Sequence, residues 1–428
     1  MVYTTGNEPL GSSNPAIRIF DQEEFSMLNR DVGREQHNIM FLVGNGFDIS
    51  VLEFFQSDWR TDYESFYHYL CHVGITPGNY LFNSMKNLRQ FHVSEKKFGR
   101  PGYPNWSNFE AHLQTQSLPT YQLRRDLFEI RVRFSQYLNQ VVNADLLAKL
   151  DSAASQYMWG YRTFSRFLAD LDPNAYQKVN LPLTAGFHHL FNFNVINFNF
   201  TPLLDNYLYL DQVQFNPHPN TSVDTNFIFR LNPRDYAHAD QRAFPNSKSS
   251  GSGYIMTEIH HPHGVQSIPR SLLFGIDGND EIARSGTGLG FEKPFWAQSP
   301  RRYLKMINES ELFVVFGSSL GETDRWWWRH ILRRLYHGAD LIIYKRVKTR
   351  DQNVTRIKKE ELAFDFVSRN FQSDLFGVSS LSHDLLARLK NRIHVVVYSD
   401  NTTLSAFGFN QDSFKPTDED PANIRPVS

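Results

Sequence analysis

The sequence holds a single cysteine, Cys71, among 428 residues, and that scarcity excludes several chemistries at once. Neither an intramolecular disulfide nor a zinc site built from three or four cysteines can form, so a reducing compartment suits the chain and Cys71 reads as inert packing. Long apolar runs are also missing. Nothing reaches the about 18 residues of a membrane-spanning helix, and the opening MVYTTGNEPLGSSNP lacks the basic-then-apolar order of a secretory signal. The expectation is a cytoplasmic protein without membrane contact. An excess of either charge is absent too: 44 Lys and Arg against 45 Asp and Glu leave a net charge of −1. That gives no overall field for nucleic acid or anionic lipid. What the chain does have is core. A hydrophobic content of 41% supports two or three domains, or one domain with a large insertion.

Pattern changes mark the organisation. Residues 1–35 read as an arm rich in Gly, Ser, Asn and Pro, with a short helix from the Asp21-x-x-Glu24 pattern. Residues 36–400 read as one α/β domain. It opens with IMFLV (39–43), a continuous apolar run that suits a buried parallel strand. From about 57 to 187 helical periodicity dominates, as in YQLRRDLFEIRVRFSQYLNQVV, and this is read as a helical insertion. Strand-like runs return at NFNVINF (192–198), NFIFRL (226–231), YIMTEI (254–259), SLLFG (271–275), LFVVFG (312–317), DLIIY (340–344) and IHVVVYS (393–399). Their separation by helical or long loop segments predicts a Rossmann-like, doubly wound, mainly parallel sheet. Residues 244–253 read as a flexible loop and 401–428 as a polar C-terminal tail.

Four segments carry chemistry. VGNGFD (43–48) sets Gly44, Asn45 and Gly46 directly after a strand, where glycines permit positive φ and close approach of a phosphate to backbone N–H groups; an ordinary turn is the bland alternative. The third glycine of a dehydrogenase fingerprint is replaced by Ile49, which disfavours hydride transfer. VINFNFTPLLDNYL (195–208) ends a strand in polar residues and places Pro202 to begin a helix. Asn197 and Asn199 alternate on one face, either to cap the loop or to position a water or ribose hydroxyl. EIHHPHG (258–264) offers His263 as a general base at neutral pH, or a structural histidine, or with His261 and Asp277 a set of metal ligands. FVVFGSSLGETDRWWW (313–328) combines Gly317, Ser318, Ser319 and Asp324 at a helix start, an arrangement suited to phosphate and ribose; Thr323 and Asp324 could instead serve only the helix end. Trp326 to Trp328 read as packing. Glu110, in Ser107-x-x-Glu110, reads as one half of a capping box or as an active-site carboxylate. The basic run 345–359 reads as a solvated face.

The order of these blocks resembles the bacterial abortive-infection family AbiH: GNGFD, Tyr63-x-x-Phe66, WSNFE, NFNFT, HG, FGID and GSSLGETD, spread over roughly 39–345. More distantly it is similar to sirtuin-type NAD-consuming enzymes. Gly44-Asn45-Gly46 stands for their first glycines, Asn199 for the asparagine of their Asn-Ile/Tyr-Asp motif, His263-Gly264 for the catalytic His-Gly, and Gly317-Ser318-Ser319-Leu320 for Gly-Thr/Ser-Ser-Leu. The resemblance implies a sirtuin-like fold and an antiphage effector that binds and hydrolyses NAD or a related nucleotide, with nicotinamide released. His263 and Asn199 would be catalytic. Gly44, Asn45, Gly46, Asp48, Asn197, Thr201, Gly317, Ser318, Ser319 and Asp324 would hold the nucleotide, with no metal. A homo-oligomer and a phage-derived trigger or partner defence protein are implied as well. Thr201 replaces the expected aspartate, the arginine-containing loop is missing and zinc-binding cysteines are absent, departures that argue against protein deacylation. A non-catalytic nucleotide sensor and a metal-dependent nuclease are the alternatives.

Overall fold

In the computed structural model, which describes residues 36–98, 110, 120–181, 190–211, 214, 227–228, 252–275, 300–348 and 352–412, the run 39–43 lies inside the central strand. This strand, β1 (Gln36–Val43), is buried from His37 onward. Alternate side chains leave it on opposite faces. Ile39, Phe41 and Val43 enter one apolar cluster, and Met40 and Leu42 enter the other. A strand with apolar residues on both faces must be covered on both, and helices cover it.

The first face is covered by most of the segment between β1 and the next strand: α1 (Gly46–Phe54), α2 (Tyr63–Val73), α3 (Tyr80–Lys97), α4 (Thr120–Val141), α5 (Ala144–Gln156), α6 (Trp159–Arg166) and α7 (Pro173–Lys178). The helical periodicity of that stretch is thereby realised. Local chemistry starts these helices: Asp62, Asn143 and Asp172 each accept the backbone N–H three residues on, capping α2, α5 and α7. Then come β2 (Leu190–Asn197), α8 (Leu203–Leu208), β3 (Phe227–Ile228) and β4 (Ser252–His260). The second face is covered mainly by elements of the C-terminal part. These are α9 (Pro300–Glu309), α10 (Arg325–Tyr336), α11 (Gln352–Asn370), α12 (Ser373–Phe376) and α13 (His383–Lys390), set around β5 (Leu312–Phe316), β6 (Asp340–Arg346) and β7 (Ile393–Tyr398).

The sheet order is β3-β4-β2-β1-β5-β6-β7. All pairings are parallel except β3 with β4. Register aligns the carboxyl ends of the middle strands, with Val43 beside both Asn197 and Phe316, and Ile196 beside His260. The loops that follow β1, β2, β4 and β5 therefore leave one edge side by side. Among the described residues, no helix is long and apolar enough to cross a membrane.

Two expectations, for SLLFG and Cys71, are corrected. SLLFG is not a strand: Pro269–Ser271 is a 3-10 turn, and Leu273 N–H donates to His263 O at 2.8 Å, so this backbone closes the loop after β4 instead of joining the sheet. Of NFIFRL, the described part is the two-residue β3. Cys71 is exposed, because the inward face of α2 is formed by Phe66, Tyr67, Tyr69 and Leu70. The arm 1–35, most of the loop 244–253, Ser107, Asp277 and the tail beyond 412 lie outside the described residues. The basic run forms ion pairs, Arg346 with Glu53 and Asp400, and Lys359 with Asp172.

Candidate functional site

A cavity of about 590 Å³ opens at the carboxyl edge, lined by residues of the four aligned loops and by α2 and α4. Open α/β sheets bind ligands in this crevice, where the strand order reverses. Gly44, Asn45, Gly46, Asp48, Asn199, Thr201, His263, Gly317, Ser318, Ser319 and Asp324 all line it. Of the nucleotide-site candidates, Asn197 does not. It is fully buried as the last residue of β2. Its side-chain Oδ1 accepts Asn199 N–H at 3.0 Å and its Nδ2 donates to Asp205 Oδ2 at 3.2 Å. Asn197 and Asn199 thus divide their work, because the chain turns after β2: one braces the loop and the other reaches the cavity.

The glycines act otherwise than expected. The left-handed residue is Gly317 (φ +65°), and Gly44 and Gly46 pack their backbones against it. Gly46 N–H donates to Gly317 O at 2.8 Å and Gly44 N–H to Phe316 O at 2.9 Å. A Cβ on Gly46 would stand 2.7 Å from Gly317 Cα, and one on Gly317 2.6 Å from Phe47 N. Small size is demanded by this seam between two loops, and the N–H groups of Gly46 and Phe47 are spent on Gly317 O and Gly44 O. The first turn of α1 is correspondingly less open to a phosphate than the glycine spacing suggests.

Asp48, in that same turn, is fully buried on the cavity wall. Asn199 Nδ2 donates to its Oδ1 at 2.9 Å and Thr201 Oγ1 to its Oδ2 at 2.6 Å. Burial pushes its carboxyl up to about 7, and Asp205 adds to the rise; the Thr201 and Asn199 hydrogen bonds and the charge of His261 oppose it.

Across the cavity stands His263, with Nε2 3.2 Å from Asp324 Oδ1. Its ring is near those of Phe198 and Phe200, with centroids 5.3 and 6.1 Å away. Gly264 (φ +86°) sets the turn that aims it, since a Cβ there would meet Ser271 O at 2.1 Å. Neither Thr323 nor Asp324 caps α10 with its side chain; Asp324 is turned to the histidine instead. Ser318 Oγ accepts Leu320 N–H at 3.1 Å, holding Leu320 at φ +54°. Trp327 and Trp328 are core, as their apolar setting predicts.

His261 does not join His263. Its Nε2 lies 2.8 Å from Asp205 Oδ1, against α8. Among the described residues no group of three His, Cys, Asp or Glu is placed to hold a metal ion. Sequence reasoning left Glu110 open and missed Tyr63 as a site residue. Both line the cavity. Tyr63 OH donates to Glu110 Oε2 at 2.9 Å and Gly275 N–H to Oε1 at 3.0 Å. Burial, with Glu110 beside it, raises the Tyr63 hydroxyl far above its ordinary value. The usable signal was the pairing of Tyr63-x-x-Phe66 with WSNFE, neither of which advertises chemistry alone.

A family model described as bacteriophage abortive infection AbiH matches residues 40–344. That span holds every cavity residue named above. No curated protein matches the chain.

Proposed function

The chain belongs to the bacteriophage abortive infection family AbiH, and from that premise we propose that its cavity binds NAD or a related nucleotide and hydrolyses it, releasing nicotinamide. Membership carries a part in abortive infection of phage. One observation carries it: a single crevice at the carboxyl edge gathers Asn199, His263, and the Gly44 and Ser318-Ser319 loops from four separate strand ends. Numbered among themselves, the parallel strands run 3-2-1-4-5-6, the order of Rossmann-like sheets, which supports the sirtuin-like reading of the fold.

In this reading the hydroxyls of Ser318 and Ser319 meet the phosphates and the scissile ribose lies between Asn199 and His263. Asp324 holds the His263 imidazole in one orientation, and His263 acts as base at a ribose hydroxyl. The amide of Asn199 is committed to Asp48, which leaves its carbonyl oxygen for water or ribose. The aromatic rings beside His263 keep bulk water from the bond being cleaved.

The test is incubation of the purified, chelator-treated chain with NAD, followed by chromatography and calorimetry. Equimolar nicotinamide and ADP-ribose are expected. Tight binding without products would make the protein a sensor, and turnover abolished by the chelator would return the metal-dependent alternative.

A further inference from the structure

The charge on the cavity wall is one-sided. Asp48, Asp62, Glu64, Glu110 and Asp324 line it, and among the described residues no Lys or Arg does. A site built only for phosphate would not be furnished so. Such a wall favours a group that is cationic, or becomes so as it reacts. Cleavage of a ribosyl C1′–N bond passes through a state with positive charge at C1′, which a positioned carboxylate stabilises. Among these acids Asp48 and Glu110 are both buried with both oxygens held, and Asp48 is the one bonded to Asn199. It is fully buried, and both of its oxygens are fixed by donors on the loop that also presents Asn199.

We propose that Asp48 is a catalytic residue of this cavity, its carboxylate facing C1′ of the ribose and taking the proton of the attacking water. The inference rests on the hydrolase reading above. The C1′–N1 bond breaks and its electron pair neutralises the nicotinamide nitrogen. The water oxygen bonds to C1′, and its proton passes to Asp48, which later returns it to solvent. Asn199 serves as a bridge, its amide on Asp48 and its carbonyl toward the water. Burial holds the Asp48 carboxyl at about 7, so it can accept and release a proton near neutrality. The charged groups that act on it are Asp205 from α8 and His261 after β4; His263 and Asp324 line the same cavity.

The experiment follows nicotinamide release from NAD against pH in the wild type, Asp48→Asn and Thr201→Val, with NAD affinity by calorimetry and folding by circular dichroism. Asp48→Asn is expected to lose at least tenfold, typically about 10²–10⁴-fold, in kcat, with affinity changed less than fivefold. The wild-type rate should rise with pH through about 7 as Asp48 ionises. Thr201→Val removes a donor to the carboxylate and should move that limb upward by about one unit. Displacement of a pH limb is a response that a merely structural role would not give. A folded Asp48→Asn protein within tenfold of wild type, or one that loses affinity with kcat unchanged, overturns the proposal. If Asp48→Asn does not fold, the Thr201→Val limb decides, and an unmoved limb overturns it. A wild type that releases no nicotinamide sinks the hydrolase reading and this inference together; an active wild type with an indifferent Asp48 sinks only the inference.

Discussion

Two histidine–aspartate pairs leave the end of β4 within three residues of each other. His261 reaches Asp205 on the α8 side and His263 reaches Asp324 on the α10 side, at 2.8 and 3.2 Å. By residue type and spacing they are equivalent, and either could be taken for an acid–base pair. Their surroundings separate them. His263 and Asp324 both line the cavity, and aromatic rings flank the imidazole. Asp205 also accepts the Asn197 amide, and neither it nor His261 lines the cavity. One pair belongs to the cavity wall; the other lies behind it and reaches Asp48 only through its charge.

Substitution should break this equivalence most visibly in rate. His263→Ala is expected to lower nicotinamide release by about 10²–10⁴-fold, the contribution of a positioned general base, whereas His261→Ala stays within about tenfold. Parallel turnover assays with circular dichroism check this, and equal losses would erase the distinction. The aspartates should differ next. Asp324→Ala should cost about 1.5–3 kcal/mol of nucleotide binding but no more than about 1 kcal/mol of stability, while Asp205→Ala leaves affinity unchanged; calorimetry and thermal unfolding separate the two. Gly264→Ala sharpens the contrast, since the added Cβ must displace Ser271 or the turn that aims His263. A loss of about 1–3 kcal/mol in denaturant unfolding is expected, with activity falling and the His261–Asp205 pair intact.

The last contrast lies in pH. Asp48 is raised when folded from 3.8 to about 7, so between those values the folded state holds a proton that the unfolded chain has released. Its contribution to stability is full below about pH 4 and is lost as pH rises through about 7, at up to about 1.4 kcal/mol per unit. Asp48→Asn should flatten that slope, read as melting temperature against pH. Asp205→Asn, which removes a like charge, should only shift it toward lower pH.

How much of this could be read in advance depended on distance along the chain. The apolar runs at 39–43, 312–317 and 340–344 signalled buried parallel strands, because a strand covered on both faces needs no alternation. SLLFG showed the same signal and is not a strand, since its backbone bonds to the loop carrying His263. Most cavity residues were legible for the same reason as the strands: ligand-facing polar groups follow directly on apolar runs. The roles of the glycines were not, because the seam of Gly44 and Gly46 with Gly317 joins loops some 270 residues apart. Asn197 looked equivalent to Asn199 until the chain turned after β2. Tyr63 and Glu110 meet across 47 residues, and no local pattern marks such a meeting.

The attack of water on the ribose carbon of a nucleotide, as proposed for this cavity, is tested most directly by hydrolysis of NAD in ¹⁸O-labelled water. Mass spectrometry of the products should find one ¹⁸O in ADP-ribose, in the ribose hydroxyl left by departure of an unlabelled nicotinamide. Label on a phosphate, with the C1′–N bond intact, would mean that the cavity cleaves phosphoanhydride bonds and would contradict the assignment of His263, Asn199 and Asp48.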